Sequence, residues 1–521
     1  MNAGPTGPNR LFAISALAGA ILLALLYYAQ LPLRVGFDID AFHHIASVRE
    51  LAKGEFPPRH NLVPGYIHQG HYGPYLVGLG FLARLSHADP ARLLDWAGVA
   101  NLLLYVLAFR LVVARLVGEA AGRWAALVPL LMWGPWPSMD MAWASLGWPG
   151  TTSLAEAYNF FYPNQAGLVL ALGLLAFLLS PDGASPLAAL DRKRGLVAIL
   201  LMALLLTTHP LSAILMAATL ASLAGAQWLS GRLRRSDVAW LAAIPAGGLA
   251  LGALWPYYPV LALLPTFNWD WLRSSGGPVT RVDVGLAHRV IVPLAEPALS
   301  LVDVFGPALF GILGLLLLAR GRKPFALVWF LVLAAMFLCP YVPMRHRFTF
   351  FAVIPLQVGL AALFEAAWSR GRAGQAAVLA LIACGALSAG LRIQWALDQE
   401  AVSLDFLDPL LPPDAVVLAN PALSNGVAGL TGRKVVCPQN PDMFLILAGG
   451  ARRIYDVRRF FDPGTSTVRR NEIVRRWRPT HLLVDRIAGP MRFSYPLLAE
   501  RDGFALYDLR PVLAAQPGPR H

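Results

Sequence analysis

Cysteine is nearly absent: the chain has three in 521 residues. Cys339 and Cys384 lie in apolar runs and Cys437 stands alone in the C-terminal part, spacings that exclude a disulfide framework and a cysteine-based zinc site. Charge is also scarce. Asp, Glu, Lys and Arg make up 14% of the chain, against roughly 25% in soluble domains. With 57% hydrophobic residues and a mean hydropathy of +0.55, most of the chain belongs in lipid. Acids are outnumbered by bases, 30 to 43, for a net charge of +13. That sign suits nucleic acid, but the bases fall in short turns between apolar runs, as the positive-inside rule requires, so no nucleic-acid partner is expected. The chain also lacks a P-loop, a G-x-G-x-x-G following a strand, a nucleophile elbow and any internal repeat.

What is present is a series of long apolar runs. Crossing a bilayer takes about 20 apolar residues. Candidate spans are 11–31, 92–114, 124–139, 163–180, 195–209, 211–230, 238–264, 301–319, 324–342, 348–368 and 376–395. The first is too long for a signal-peptide core and has no clean small-x-small cleavage site, so it is read as a retained span. The stretch 72–86 would cover only about 22 Å at 1.5 Å per residue, short of the roughly 30 Å hydrocarbon core. The basic turns settle it. Arg115 with Arg123, Arg192-Lys193-Arg194, Arg232 to Arg235, Arg320 to Lys323 and Arg370 to Arg372 all face the cytosol only if 72–86 does not cross. It is read as a re-entrant or surface-embedded helix. The expected protein is therefore an α-helical polytopic membrane protein of about eleven transmembrane helices, with a cytoplasmic N-terminus. Its setting is expected to be a bacterial inner (cell) membrane, with membrane lipids around the helices.

From about 396 the character changes. Short β-rich runs at 415–419, 434–437, 481–485 and 504–508 alternate with polar helical segments such as Arg469 to Trp477. This predicts a small α/β extracytoplasmic domain, and a division into 1–395 and 396–521.

Just behind the first span lies Asp38-Ile-Asp40-Ala-Phe-His-His44-Ile-Ala-Ser-Val-Arg-Glu-Leu-Ala-Lys-Gly54. Phe42, Ile45, Val48 and Leu51 recur every three residues, with His44, Ser47 and Glu50 on another side. The pattern predicts a helix lying flat in the headgroup region. Asp40 suits an N-cap, which leaves a chemical role open. Two carboxylates and two imidazoles at a membrane surface can move a proton, bind a metal, or both.

The string Asp-x-Phe-His-His-Ile, then Arg-x-Leu-x-x-Gly at 49–54, then a Pro-rich stretch and His71-Tyr-Gly-Pro-Tyr75, resembles the first outer loop of the GT-C superfamily of glycosyltransferases. The run from Arg345 to Pro355, Arg-x-Arg-Phe-x5-Ile-Pro, is similar to the last junction between outer loop and span in that family. The resemblance implies a multi-span, inverting enzyme that takes a sugar from a polyprenyl-phosphate-linked or pyrophosphate-linked donor. It implies a catalytic acid just after the first span. By position that is Asp40, with Asp38 second, because the chain has Asp-Ile-Asp where many members have adjacent Asp-Glu.

The chemistry needs a carboxylate to take the acceptor's proton and fixed positive groups to meet charge on the departing phosphate. Arg345, His346 and Arg347 supply the latter, since guanidinium matches phosphate geometry; otherwise they are a basic membrane anchor. His44, His71 and Tyr72 complete the candidate substrate-binding set. Asp140 and Glu156, in the loop after the third span, are the metal candidates that the resemblance suggests, for Mg²⁺ or Mn²⁺, unless they are solvated loop acids. His60, His68 and His71 do not have helix-borne zinc spacing. His209 in Thr207-Thr-His-Pro210 reads as a span end, and the tryptophan-rich loop 265–300 as an interfacial belt. The competing classes are a lipid or solute transporter of the envelope and a non-catalytic assembly protein. Transporters place acids mid-membrane in related halves, and neither feature is evident. The sugar and the acceptor, whether glycan, lipid or protein, are not written in the sequence.

Overall fold

The computed structural model describes residues 7–30, 39–64, 72–132, 162–180, 187, 190–257, 306–338, 349–398, 403–438, 450–486 and 493–515. In chain order the longer helices are α1 (Gly7–Tyr28), α2 (Ile39–Ala52), α3 (Pro74–Ser86), α4 (Pro90–Leu116), α5 (Pro163–Leu178), α6 (Arg192–Thr208), α7 (Pro210–Leu229), α8 (Arg235–Gly252), α9 (Gly311–Arg320), α10 (Phe325–Leu338), α11 (Thr349–Trp368), α12 (Arg372–Leu397), α13 (Gly450–Phe460) and α14 (Thr467–Trp477). Contacts divide the chain into two compact units.

The first unit comprises 1–29, 96–255 and 260–398; among its described residues the regular structure is helical, apart from a bridge between Leu179 and Leu187. Each range expected to span contains a helix. Five are long and apolar enough to cross a membrane by length and composition: Asn9–Tyr28, Pro90–Leu116, Pro210–Leu229, Phe351–Trp368 and Arg372–Leu391. Pro163–Leu178, Gly306–Arg320 and Phe325–Met336 are apolar but shorter. Five described spans thus stand against the eleven expected.

Where helices cross closely, small residues make room. A Cβ on Gly314 of α9 would sit 1.7 Å from the Gly359 carbonyl oxygen of α11, so the two backbones touch. Helix ends are capped by polar side chains. Asp191 accepts from the Arg194 amide at 2.7 Å at the start of α6. His209 Nδ1 does the same for Ser212 at 3.3 Å at the start of α7, as its place at a span end suggested. Arg123 donates to Glu365 through Nε at 2.9 Å and Nη2 at 2.6 Å, and Trp124 Nε1 adds a bond of 3.2 Å.

The second unit comprises 30–95, 256–259 and 399–521. It differs from a cut at 395/396 because it takes in the loop behind the first span. Its centre is a five-stranded sheet of β1 (Val416–Ala419), β2 (Lys434–Val435), β3 (His481–Asp485), β4 (Leu497–Arg501) and β5 (Phe504–Asp508), in the order β2-β1-β3-β5-β4. β1 runs parallel to β2 and β3, while β5 is antiparallel to β3 and β4. β1, β3 and β5 are apolar without alternation because both faces of the sheet are covered. On one face Leu418, Leu482 and Tyr507 meet Val457, Phe460 and Ile473 of α13 and α14. On the other, Val417, Leu483 and Leu506 cluster with Leu423 and Val427 of the helical segment 421–431, and with Ala46 of α2.

The third layer is therefore partly built from the loop behind the first span. This changes the reading of α2. Phe42, Ile45, Val48 and Leu51 are buried as their spacing suggested, but Ser47 and Glu50 are buried as well. The helix is covered by protein on both kinds of face; it does not lie with one side in headgroups and the other in water. α3 packs against it from one side and the 421–431 segment from another.

His481 on β3 is fully buried, with Nδ1 2.8 Å from the Thr480 hydroxyl. Burial, with Arg510 next, holds its pKa below the ordinary imidazole value, and Asp508 opposes that shift. Its neutral form is the one folding favours, so this stability is present above the unfolded value near 6.5 and is lost as pH falls below it. The melting temperature is expected to drop between pH 7 and pH 5. His481→Gln, which stays neutral, should flatten that slope; an unchanged slope contradicts the assignment.

Candidate functional site

The site builds outward from α2. The helix starts at Ile39, so Asp40 lies inside the first turn, not ahead of it. A helix N-terminus favours an acidic residue at that position. Two residues on, the backbone of α2 meets the 421–431 segment: a Cβ on Gly429 would fall 2.8 Å from both Cβ and the carbonyl oxygen of Phe42. Only a residue without a side chain allows that approach. The contact fixes the opening turn of α2 against the α/β unit.

Farther along α2, buried polar groups tie it down. Ser47 Oγ donates to the His43 carbonyl at 2.8 Å. Asn61 Nδ2 donates to Ser47 Oγ at 2.8 Å and lies 3.4 Å from His43 Nε2. The Glu50 side chain is 3% exposed and receives Lys434 Nζ at 2.8 Å and Lys53 Nζ at 2.7 Å. Lys434 also donates to the carbonyls of His60 at 2.6 Å and Asn61 at 3.2 Å. Burial holds the Lys434 ammonium below its ordinary pKa, opposed by its bond to Glu50. Arg49 Nη1 donates to the Leu430 carbonyl at 3.0 Å, and burial lowers its pKa in the same way. One lysine from β2 thus joins α2, the segment at 60–61 and the sheet.

Of the sequence-predicted site residues, the fold brings Asp40, His44 and Tyr72 into this unit. His44 is partly exposed, its ring centroid 5.7 Å from that of the buried His43. Tyr72 is buried and its hydroxyl donates to the Arg59 carbonyl. Burial, with Glu50 next, pushes its pKa well above the phenol's ordinary value, so it is a neutral donor. Asp38, His71, Asp140, Glu156, Arg345, His346 and Arg347 lie outside the described residues. So does the loop 265–300. Among the described residues no group of three His, Cys, Asp or Glu comes together as a metal site. The sequence reading missed Lys434, Asn61 and Gly429. None has a local signal, because each is defined by a partner elsewhere in the chain.

No protein-family model matches the sequence, and no curated protein matches it. Solved structures do match. The archaeal oligosaccharyltransferase AglB from Archaeoglobus fulgidus, in complex with an inhibitory peptide and a dolichol-phosphate, aligns over 90% of this chain and 69% of its own with a TM-score of 0.53 and 14% identity. The A. fulgidus oligosaccharyltransferase in complex with Zn and sulfate aligns over 89% and 68%, with a TM-score of 0.52 and 14% identity. ArnT from Cupriavidus metallidurans, bound to undecaprenyl phosphate, aligns over 99% of this chain and 100% of its own, again with a TM-score of 0.53 and 14% identity. The chain therefore shares the fold of these solved structures.

Proposed function

We propose that this chain is an inverting membrane glycosyltransferase that moves a sugar from a polyprenyl-phosphate-linked donor to an acceptor on the outer face of the membrane. The observation that carries the reading is the end-to-end match in fold with ArnT, a protein solved with undecaprenyl phosphate bound. Fold alone does not fix a reaction. The supporting chemistry is the placing of an acidic residue at the head of a helix anchored on two sides.

In the proposed reaction an acceptor hydroxyl attacks the anomeric carbon of the donor sugar. Its proton passes to the Asp40 carboxylate, with Asp38 as the second candidate, and the carbon–oxygen bond to phosphate breaks on the opposite face. Arg345 and Arg347, flanking His346, meet the charge left on the polyprenyl phosphate. His44, His71 and Tyr72 are proposed to orient the substrate, Tyr72 by way of the loop it pins. The eleven-span topology puts all of these outside, with the C-terminal unit. It also keeps 1–395 as the membrane part and 396–521 as the outer domain, to which 30–95 is added by packing. Hard oxygen ligands from Asp140 and Glu156 would suit Mg²⁺ or Mn²⁺; a bound cation would supply positive charge to the phosphate.

Purified protein incubated with a panel of polyprenyl-phosphate sugars, with and without chelator, is expected to cleave one of them and release free carrier phosphate. Movement of intact lipid between leaflets without cleavage would favour a transporter instead. Because Gly429 seats the turn that bears Asp40, Gly429→Val is expected to slow transfer. A misplacement of about 1 Å can cost roughly 100-fold. Donor affinity should change far less, and equal losses of both would mean a general collapse of the unit.

A further inference from the structure

We infer that the outer face of α13 and α14 is a docking surface for an extended, soluble polymer that carries phosphate groups. The stretch 450–478, which forms the two helices and their connection, holds nine arginines, no lysine and three acids. All three acids are engaged within the stretch. Asp456 accepts from Arg476 at 2.7 Å and from Trp477 Nε1 at 3.0 Å. Glu472 pairs with Arg469, and Asp462 accepts from the Gly464 amide at 3.0 Å. Arg459 and Arg470 donate to the Tyr455 hydroxyl and to the carbonyls of Phe460 and Asp462. Those partners hold a guanidinium without cancelling its charge. Arg452, Arg458, Arg475 and Arg478 are exposed, and among the described residues none of the four has a hydrogen bond or an ion pair.

The rest of the tail is different. Arg433 pairs with Asp408 at 2.8 Å, Arg501 with Asp502 at 3.3 Å and Arg510 with Asp508 at 2.8 Å, and Arg486 pairs with Glu500. Exposed arginine without an acid beside it is a property of one face, whose countercharge must come from outside the unit.

That face is continuous. The Arg453 guanidinium lies 4.4 Å from the centre of the Trp477 ring, Arg476 reaches Asp456, and Arg470 Nε reaches the Phe460 carbonyl at 2.9 Å. The two helices therefore run antiparallel, side by side, with their apolar sides on the sheet. The four arginines are spread over this layer and not gathered in a hollow. Arg452 and Arg458 alone are separated by about 9 Å along α13, at 1.5 Å per residue. Such a spread fits a chain of charges better than a single small anion. Guanidinium groups meet phosphate oxygens through two parallel bonds, which an ammonium cannot do.

A lipid surface fits this face less well. The apolar surface of the unit lies across the sheet from it: α3 exposes Phe81, Leu82 and Leu85 and packs on α2, which joins the sheet face opposite α13 and α14. A bilayer against α3 leaves the arginines turned toward what is dissolved outside it. The surface does not depend on the sugar-transfer reading.

Titration of labelled long-chain inorganic polyphosphate with the whole protein, held in a neutral detergent and followed by fluorescence anisotropy, tests the inference. The parent should bind, and its affinity should fall as salt rises, because each neutralised phosphate releases counterions. Arg458→Gln/Arg475→Gln should weaken binding about fivefold at low salt and flatten that salt dependence. Arg501→Gln/Arg510→Gln removes the same charge from acid-paired positions and should weaken binding less than about twofold. Adding Arg452→Gln and Arg478→Gly to the first pair should deepen the loss to tenfold or more. Glycine suits the left-handed φ of +51° at 478, and the four side chains have no partner to lose, so this variant should melt with the parent. Equal losses from the two double variants would mean that net charge alone is at work. Polyglutamate bound as tightly as polyphosphate would remove phosphate as the ligand class, and displacement by phosphatidylglycerol vesicles would make a membrane the occupant. Each of these results overturns the assignment, as does parent-like binding by Arg458→Gln/Arg475→Gln.

Discussion

Asp40→Asn is expected to cut sugar transfer by about 10²- to 10⁴-fold, the usual contribution of a positioned general base, with membrane insertion and melting temperature unchanged. The substitution separates chemistry from structure. Asn is nearly the size and shape of Asp, and α2 is held along its length by the Gly429 crossing, the Lys434–Glu50 pair and the Asn61–Ser47 bond. A loss of rate therefore reports on the carboxylate. Single-turnover rates at saturating donor should fall with little change in donor affinity, because a base acts in the transition state. The same substitution at Asp38 should cost much less. If Asp38→Asn is the silent variant's counterpart and abolishes transfer while Asp40→Asn does not, the roles are exchanged.

The second large effect is on stability. Lys434→Met removes the cation beside a carboxylate that is 3% exposed and takes the donor from two backbone carbonyls. Breaking a buried pair from one side costs about 3–5 kcal/mol. The lower end is expected here, about 3 kcal/mol, because Lys53 still reaches Glu50 at 2.7 Å. Cys437 offers a direct readout. It is buried two residues beyond β2, and burial pushes its thiol up to about 12, so it should react only when the unit opens. In a background with Cys339 and Cys384 replaced by alanine, 3 kcal/mol corresponds to roughly a hundredfold faster thiol modification at constant pH. The double replacement Glu50→Leu/Lys434→Met should recover much of that loss, since the one cation it leaves without its carboxylate, Lys53, is well exposed to solvent. Additive losses would mean that the two side chains stabilise the unit separately.

The elements that local composition controls were legible. Every expected span range holds a helix, and the four β-rich runs of the tail became β1, β2, β3 and β5 within a residue or two. α14 appeared where polar helical character suggested it. β4 escaped because Leu497–Arg501 is an exposed edge strand ending in Glu500 and Arg501, the composition that protects an edge from pairing and also hides it from pattern reading.

The larger miss concerned α2. Its three-residue apolar spacing was real, but the same pattern fits a membrane surface or a protein core. What decides between them is Ala46 joining the cluster around β1, Gly429 admitting the backbone of Phe42, and Lys434 neutralising Glu50. Those partners lie some 380 positions away, 384 in the case of Lys434 and Glu50. Nothing near α2 announces them. The resemblance to GT-C enzymes was legible for a different reason: it rests on short strings of residues, while overall identity to the solved structures of similar fold is 14%.

The proposed transfer reaction requires Asp40 and Arg345 to face one outer site. In a chain stripped of its native cysteines, Asp40→Cys and Arg345→Cys should both be modified by a membrane-impermeant maleimide added from the outside, and a short bifunctional thiol reagent should join them. Modification from opposite sides of the membrane, or two outward thiols that no short reagent can bridge, would contradict a shared outer site and with it the proposed transfer reaction.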